Sequence, residues 1–102
     1  MNAVERFWRG LEERDWAAMR AQIGGHASIA WPHRGEVLDA LEYLARLRER
    51  RGRADVEVLE VITEGRRVAV EARMGSARCG GFYDMHDGKI VSGTEYWVGE
   101  KA

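Results

Sequence analysis

The stretch from Val56 to Val98 constrains the fold more than any other part of the chain, because its apolar residues recur with a period of two and tight-turn dipeptides divide it. Such a period puts successive side chains on opposite faces of a strand. Val56 and Val58 open a strand that runs to about Ile62, and Glu64-Gly65 turns the chain. Val68, Val70, Ala72 and Met74 alternate with Ala69, Glu71 and Arg73, and Gly75-Ser76 turns it again. A third strand runs from about Arg78 to His86 and a fourth from Lys89 to Val98. Between them Asp87-Gly88 is a strong hairpin signal, since a type I′ turn needs positive φ at both central positions. Four strands joined this tightly predict an antiparallel meander.

Upstream the period is helical. Val4, Phe7, Trp8 and Leu11 form one stripe, with Gly10 a weak point. Asp15 is an N-cap for a second helix carrying Trp16, Met19 and Ile23, which Gly24-Gly25 ends. His26 to Trp31 reads as a strand, because Pro32 holds the residue before it extended. From Glu36 a third helix is expected, with Val37, Leu38, Leu41, Leu44 and Ala45 on its apolar side. Arg46, Arg48, Arg50 and Arg51 suit the negative end of its dipole, and Gly52 is a natural stop. Helices on one face of a meander make an α+β fold, and 102 residues without a linker or repeat predict a single domain over 1–102.

Composition excludes several classes of function. The net charge of -1 gives no overall positive field for nucleic acid or anionic membrane. The arginines from Arg46 to Arg53 read as a solvated helix end, lacking the aromatic interleaving of a nucleic-acid surface. No apolar segment is long enough to span a bilayer. Lone Cys79 cannot form an internal disulfide and the N-terminus has no signal-peptide pattern, so a cytoplasmic location is expected. His26, His33 and His86 lack metal-ligand spacing, so no metal and no cofactor are expected. Cys79 beside Gly80-Gly81 reads as packing, not as a nucleophile.

The ordered set Arg14-Asp15-Trp16, Trp31-Pro32, Arg34-Gly35, Glu64-Gly65, Asp87-Gly88-Lys89-Ile90 and Glu95-Tyr96-Trp97 resembles the nuclear transport factor 2-like superfamily. That group includes SnoaL-like polyketide cyclases, ketosteroid isomerases and limonene-epoxide hydrolases. The resemblance implies a cone: a curved antiparallel sheet wrapped around N-terminal helices, with an internal pocket at the wide end, often in a homodimer. It also implies that Glu95, in the position of an acid that faces the cavity in epoxide-hydrolase-like relatives, points inward with Trp97. The known catalytic sets are not carried over. The positions of a ketosteroid isomerase acid and tyrosine hold Ala30, Trp31 and Pro32, and Phe7 and Trp8. Those of the epoxide hydrolase set hold Ala72, Met74, Ser28 and Ala30.

Alternation sorts the remaining candidates. Gly81, Tyr83 and Met85 share one face, opposite Phe82, Asp84 and His86. Val91, Gly93, Glu95 and Trp97 oppose Ser92, Thr94 and Tyr96. In the first strand Ile29 and Trp31 compete with Ser28 and Ala30 for the inward side. A carboxylate among Trp31, Tyr83 and Trp97 would lose hydration, which suits Glu95 to acid or base work. Tyr83 would donate to a developing oxyanion, and His33, in the loop after Pro32, is a candidate for proton transfer. Trp16, Trp31, Met74 and Trp97 are candidate ligand-binding residues.

Two kinds of function remain. One is an isomerase-, cyclase- or hydrolase-like enzyme moving protons on a small apolar substrate. The other is a non-catalytic ligand-binding or dimerisation domain of the same fold. The outer sheet face, with Phe82, Tyr96 and either Ile90 or Val91, predicts a homodimer.

Overall fold

The computed structural model describes residues 1–99. Helix α1 (Ala3–Glu13) starts in a capping box: the Asn2 side chain accepts from the Glu5 N–H at 2.9 Å, and the Glu5 carboxylate accepts from the Asn2 N–H at 3.0 Å. Its stripe Val4, Phe7, Trp8 and Leu11 is buried as expected. Gly10 is a packing choice, because a Cβ there would lie 2.9 Å from Met19 Cγ of α2 (Trp16–Gln22). Asp15 caps α2 by accepting from the Ala18 N–H.

Six strands form one open, curved sheet in the order β2-β1-β6-β5-β4-β3. The meander is β3 (Val56–Glu64), β4 (Arg67–Met74), β5 (Ala77–His86) and β6 (Lys89–Val98). All its pairings are antiparallel, and Asp87 and Gly88 have the positive φ their turn requires. Strand β1 (Ile23–Trp31) pairs with β6 in parallel, so the sheet is mixed and not wholly antiparallel. The chain reaches β3 at the far edge only after a helical crossover, and the meander then returns to β1 running in the same direction.

Three boundaries differ from the sequence expectation. Strand β1 starts at Ile23, so Gly24 and Gly25 lie inside it, where its pairing with β6 is irregular. Glu36–Asp39 is strand β2, which pairs with β1 as a hairpin after a 3-10 turn at Pro32–Arg34. Helix α3 (Ala40–Arg51) begins four residues after Glu36, at a capping box between Asp39 and Glu42. Its inward face is Ala40, Tyr43, Leu47 and Arg51; Leu41 is exposed, as is Val37 on β2.

Side-chain parity settles the open choices. Ile29 and Trp31 face the core, and Val68, Val70, Ala72 and Met74 do so from β4. A register shift between Asp84 and Met85 on β5 pairs Met85 with Ile90, which buries Ile90 and exposes Val91. Val91 therefore leaves the face it was expected to share with Glu95. Each fully buried large apolar side chain in this core contributes about 1.5–3 kcal/mol.

Candidate functional site

The deepest polar group in the core is Glu95 on β6, with no solvent exposure. Its oxygens accept from four side chains of the protein itself. Trp31 Nε1 and Trp97 Nε1 donate to Oε1 at 2.9 and 3.2 Å. Tyr83 OH donates to Oε2 at 2.6 Å, and Tyr43 OH donates to the same oxygen. Trp8 Nε1 in turn donates to the Tyr83 oxygen at 3.2 Å. A carboxylate offers about four lone-pair sites. All four are in use.

The backbone explains why these groups meet. Gly81 on β5 lies directly opposite Glu95, and Gly93 on β6 lies opposite Tyr83. A Cβ on Gly81 would come within 2.2 Å of the Tyr83 hydroxyl, and one on Gly93 within 2.6 Å of the Tyr83 ring. The two glycines thus leave a trough in the sheet in which the Tyr83 ring lies, carrying its hydroxyl to Glu95. From the other side, the parallel register Ile29↔Gly93 and Ala30↔Thr94 brings Trp31 level with Glu95. Helix α3 supplies Tyr43, whose ring stacks on Phe7 with centroids 5.5 Å apart.

Electrostatics follow from the dryness of the cage. Burial, then the charge of Glu95, holds the Tyr43 and Tyr83 hydroxyls well above the usual phenol range, so both stay neutral donors. Burial, then the same charge, pushes up the thiol of Cys79, which pairs with Trp97 across β5 and β6. Cys79 is a packed thiol, as expected.

Arg50 covers the cage. Its guanidinium carbon lies 4.9 Å from the ring centroids of both Trp31 and Trp97, and that of Arg46 lies 5.6 Å from Trp31. Beyond Arg50 opens a cleft of about 650 Å³, lined by Arg34, Arg46, Arg50 and Arg53 together with Met74 and Ala77. Glu36 accepts from Arg46 at 2.7 Å and from Arg34 at 3.1 Å, which holds its carboxyl below the usual range. Glu49, also in the lining, pairs with Arg53.

The sequence candidates therefore fall into separate places. Glu95, Tyr83, Trp31 and Trp97 come together in the cage. Met74 borders the cleft. Trp16 is elsewhere, under the Arg48 guanidinium and beside Leu44. His33 sits exposed in the 3-10 turn with its ring 5.7 Å from that of Trp31; it interacts with the Glu95 backbone and is not among the four side chains that donate to the Glu95 carboxylate. Partial burial, then Arg50 and Arg34, lowers the pKa of His33. Among the described residues, no group of three or more His, Cys, Asp or Glu side chains is placed to hold a metal.

Sequence reasoning missed Tyr43 and the separate roles of the α3 arginines. The pattern Asp39-x-x-Glu42 was the signal that could have reset the helix and turned Tyr43 inward. The arginines are not one solvated end. Arg51 is buried and donates to the carbonyls of Leu11, Glu12 and Ala54, tying α3 to the end of α1. Arg46, Arg50 and Arg53 instead converge on the cleft.

Similarity to known proteins agrees with this architecture. An NTF-2 like protein of unknown function from Burkholderia xenovorans LB400 superposes with a TM-score of 0.83 at 20% identity, over 98% of this chain and 83% of that one. A protein from Kribbella flavida DSM 17836, provisionally assigned as a ketosteroid isomerase, gives 0.80 at 21% identity, over 98% and 78%. An LEH-like epoxide hydrolase of M. tuberculosis gives 0.70 at 22% identity, over 93% and 79%. At such identities the likeness concerns the fold. No curated protein sequence matches the chain. The family model described as a SnoaL-like domain matches residues 4–93, and the chain belongs to that family of nuclear transport factor 2-like folds.

Proposed function

We propose that this protein is a non-catalytic small-molecule-binding member of its family, with the ligand in the arginine-lined cleft and Glu95 as a structural floor beneath it. The carrying observation is the saturation of Glu95 by Trp31, Trp97, Tyr43 and Tyr83. A carboxylate with every lone pair engaged can take a proton only by releasing a donor, and releasing one in a dry site costs about 1–3 kcal/mol. Tyr83 is committed too, since it donates to Glu95 and accepts from Trp8. The cleft has the volume of an ordinary ligand site and an apolar wall at Met74 and Ala77. Titration with a set of small aromatic fragments, followed by amide NMR, should shift Arg50, Met74 and Ala77 first. Shifts that avoid these residues would contradict the assignment.

A second reading is supported by the 2.6 Å hydrogen bond between Tyr83 and Glu95. A phenol held on a carboxylate in a dry cage is a positioned donor–acceptor pair, and movement of Arg50 would admit a small carbonyl or cyclic substrate to it. Glu95 would then act as base or acid, Tyr83 as oxyanion donor, and His33 as a proton carrier at the edge. Turnover abolished by Glu95→Gln in a variant that remains folded would establish this reading. Unchanged turnover would remove it.

We also propose a homodimer through the outer sheet face. Ile62, Phe82, Tyr96 and Val98 are all exposed there around a shallow groove, an apolar patch that small monomers seldom display. Light scattering at high micromolar concentration should give twice the monomer mass, and a monomer would sink the proposal.

A further inference from the structure

We propose that the notch between Trp31 and Trp97, above Glu95, is a guanidinium-binding site that Arg50 occupies in the resting chain and yields to a ligand guanidinium. The notch lies beneath the arginine-lined cleft, and the inference does not depend on what the cleft binds. The two ring planes stand at 69° with centroids 6.4 Å apart, and the Arg50 guanidinium carbon lies 4.9 Å from each. That places one cation on two rings at once. Trp31 is fully buried and Trp97 is 5% exposed, whereas Arg50 is half-buried and lines the cleft. The guanidinium thus stands between the ring faces and the opening.

Glu95 makes the notch more than a pair of rings. Both indole N–H groups donate to its Oε1. A donor engaged by a carboxylate is polarised, which moves electron density onto the ring and strengthens its attraction for a cation. Arg48 on Trp16 is the plain surface version, one guanidinium 5.2 Å from one half-buried ring. Arg46 also approaches Trp31, at 5.6 Å, but its fork is engaged by Glu36 at 2.7 and 3.3 Å.

The surrounding charges permit an exchange of cations. Arg34, Arg46 and Arg53 are set against Glu36, Glu49 and Glu95, three of each sign, so the neighbourhood is balanced when the Arg50 side chain leaves. His33 adds little positive charge, because partial burial, then Arg50 and Arg34, favours its neutral form. Arg50 has further interactions beyond these rings. An alkylguanidinium carries the same planar cation and the same five N–H groups, so it is equipped to replace them. As a tethered competitor at an effective concentration of roughly millimolar, Arg50 sets the threshold that a free cation must exceed.

The test titrates Arg50→Ala and the unaltered chain with methylguanidinium, following the indole N–H signals by NMR. Methylurea serves as the neutral compound of similar shape. Methylguanidinium should shift Trp31 and Trp97 of Arg50→Ala saturably, at a concentration about tenfold or more below that needed by the unaltered chain. Methylurea should leave both signals in place. Arg50→Gln carries the same titration should Arg50→Ala fail to fold. Absence of saturable shifts at Trp31 and Trp97 in these variants would overturn the inference. So would equal affinity in the unaltered chain, an equal response to methylurea, or the same response at Trp16.

Discussion

The Glu95 cage and the arginine cleft share a wall at Arg50, yet they treat charge in opposite ways. In the cage one negative group is enclosed by neutral N–H and O–H donors and kept from water. In the cleft several positive groups line an open concavity, where Glu36 pairs with Arg46 and Glu49 pairs with Arg53. A buried charge is tolerated only when its hydrogen bonds are complete, so the cage is organised around satisfaction. A ligand site needs an opening that a small molecule can enter, and the cleft is organised around access. Under the proposed function, the first region serves stability and the second recognition.

The largest expected effect comes from breaking the cage at its centre. Glu95→Gln turns one acceptor oxygen into an amide donor facing donors, and should cost about 3–5 kcal/mol in urea denaturation. Tyr83→Phe removes a hydrogen bond to a charged group and leaves the Trp8 N–H unpaired, for about 2–3 kcal/mol by the same measurement. Gly81→Ala drives a methyl into the Tyr83 hydroxyl and should cost about 1–3 kcal/mol, with a change in near-ultraviolet circular dichroism from the displaced aromatics. Arg50→Gln, which alters the shared wall but not the cage bonds, should change stability by less than about 1 kcal/mol while weakening binding of any ligand held in the cleft.

Alkaline titration separates the regions in another way. Tyr43 and Tyr83 have folded-state pKa values above the unfolded phenol value, as Cys79 does for its thiol. Each contribution to stability is complete below the unfolded pKa and is lost as pH rises beyond it, above about 10 for the tyrosines and from about 8.5 for the thiol. Of the three tyrosines, two should ionise only as the protein unfolds, a step visible in phenolate absorbance. Early ionisation of all three would mean that the cage is wet.

Much of the meander was legible in the sequence because period two and Asp87-Gly88 are local signals. So was the inward aim of Glu95, though its carry-over rested on resemblance to relatives and not on the residues themselves. The parallel join of β1 to β6 was not legible, since pairing between distant strands leaves no local mark. Strand β2 was hidden because Val37 and Leu38 fit a helical stripe equally well; only the Asp39–Glu42 cap distinguishes the two. The saturation of Glu95 was out of reach for a related reason. It depends on glycines standing opposite both Glu95 and Tyr83, at Gly81 and Gly93 on adjacent strands, and on Tyr43 arriving from a helix that starts later than the apolar stripe suggests.

The most direct test of the central claim is hydrogen exchange at the indole N–H groups of the four tryptophans. Those of Trp8, Trp31 and Trp97 are bound within the cage, whereas Trp16 lies half-buried outside it. The first three should exchange only through global unfolding, with protection equal to the stability of the fold, and Trp16 should exchange far sooner. Rapid exchange at Trp31 or Trp97 in the native state would contradict the account, because it would show Glu95 open to water and to substrate.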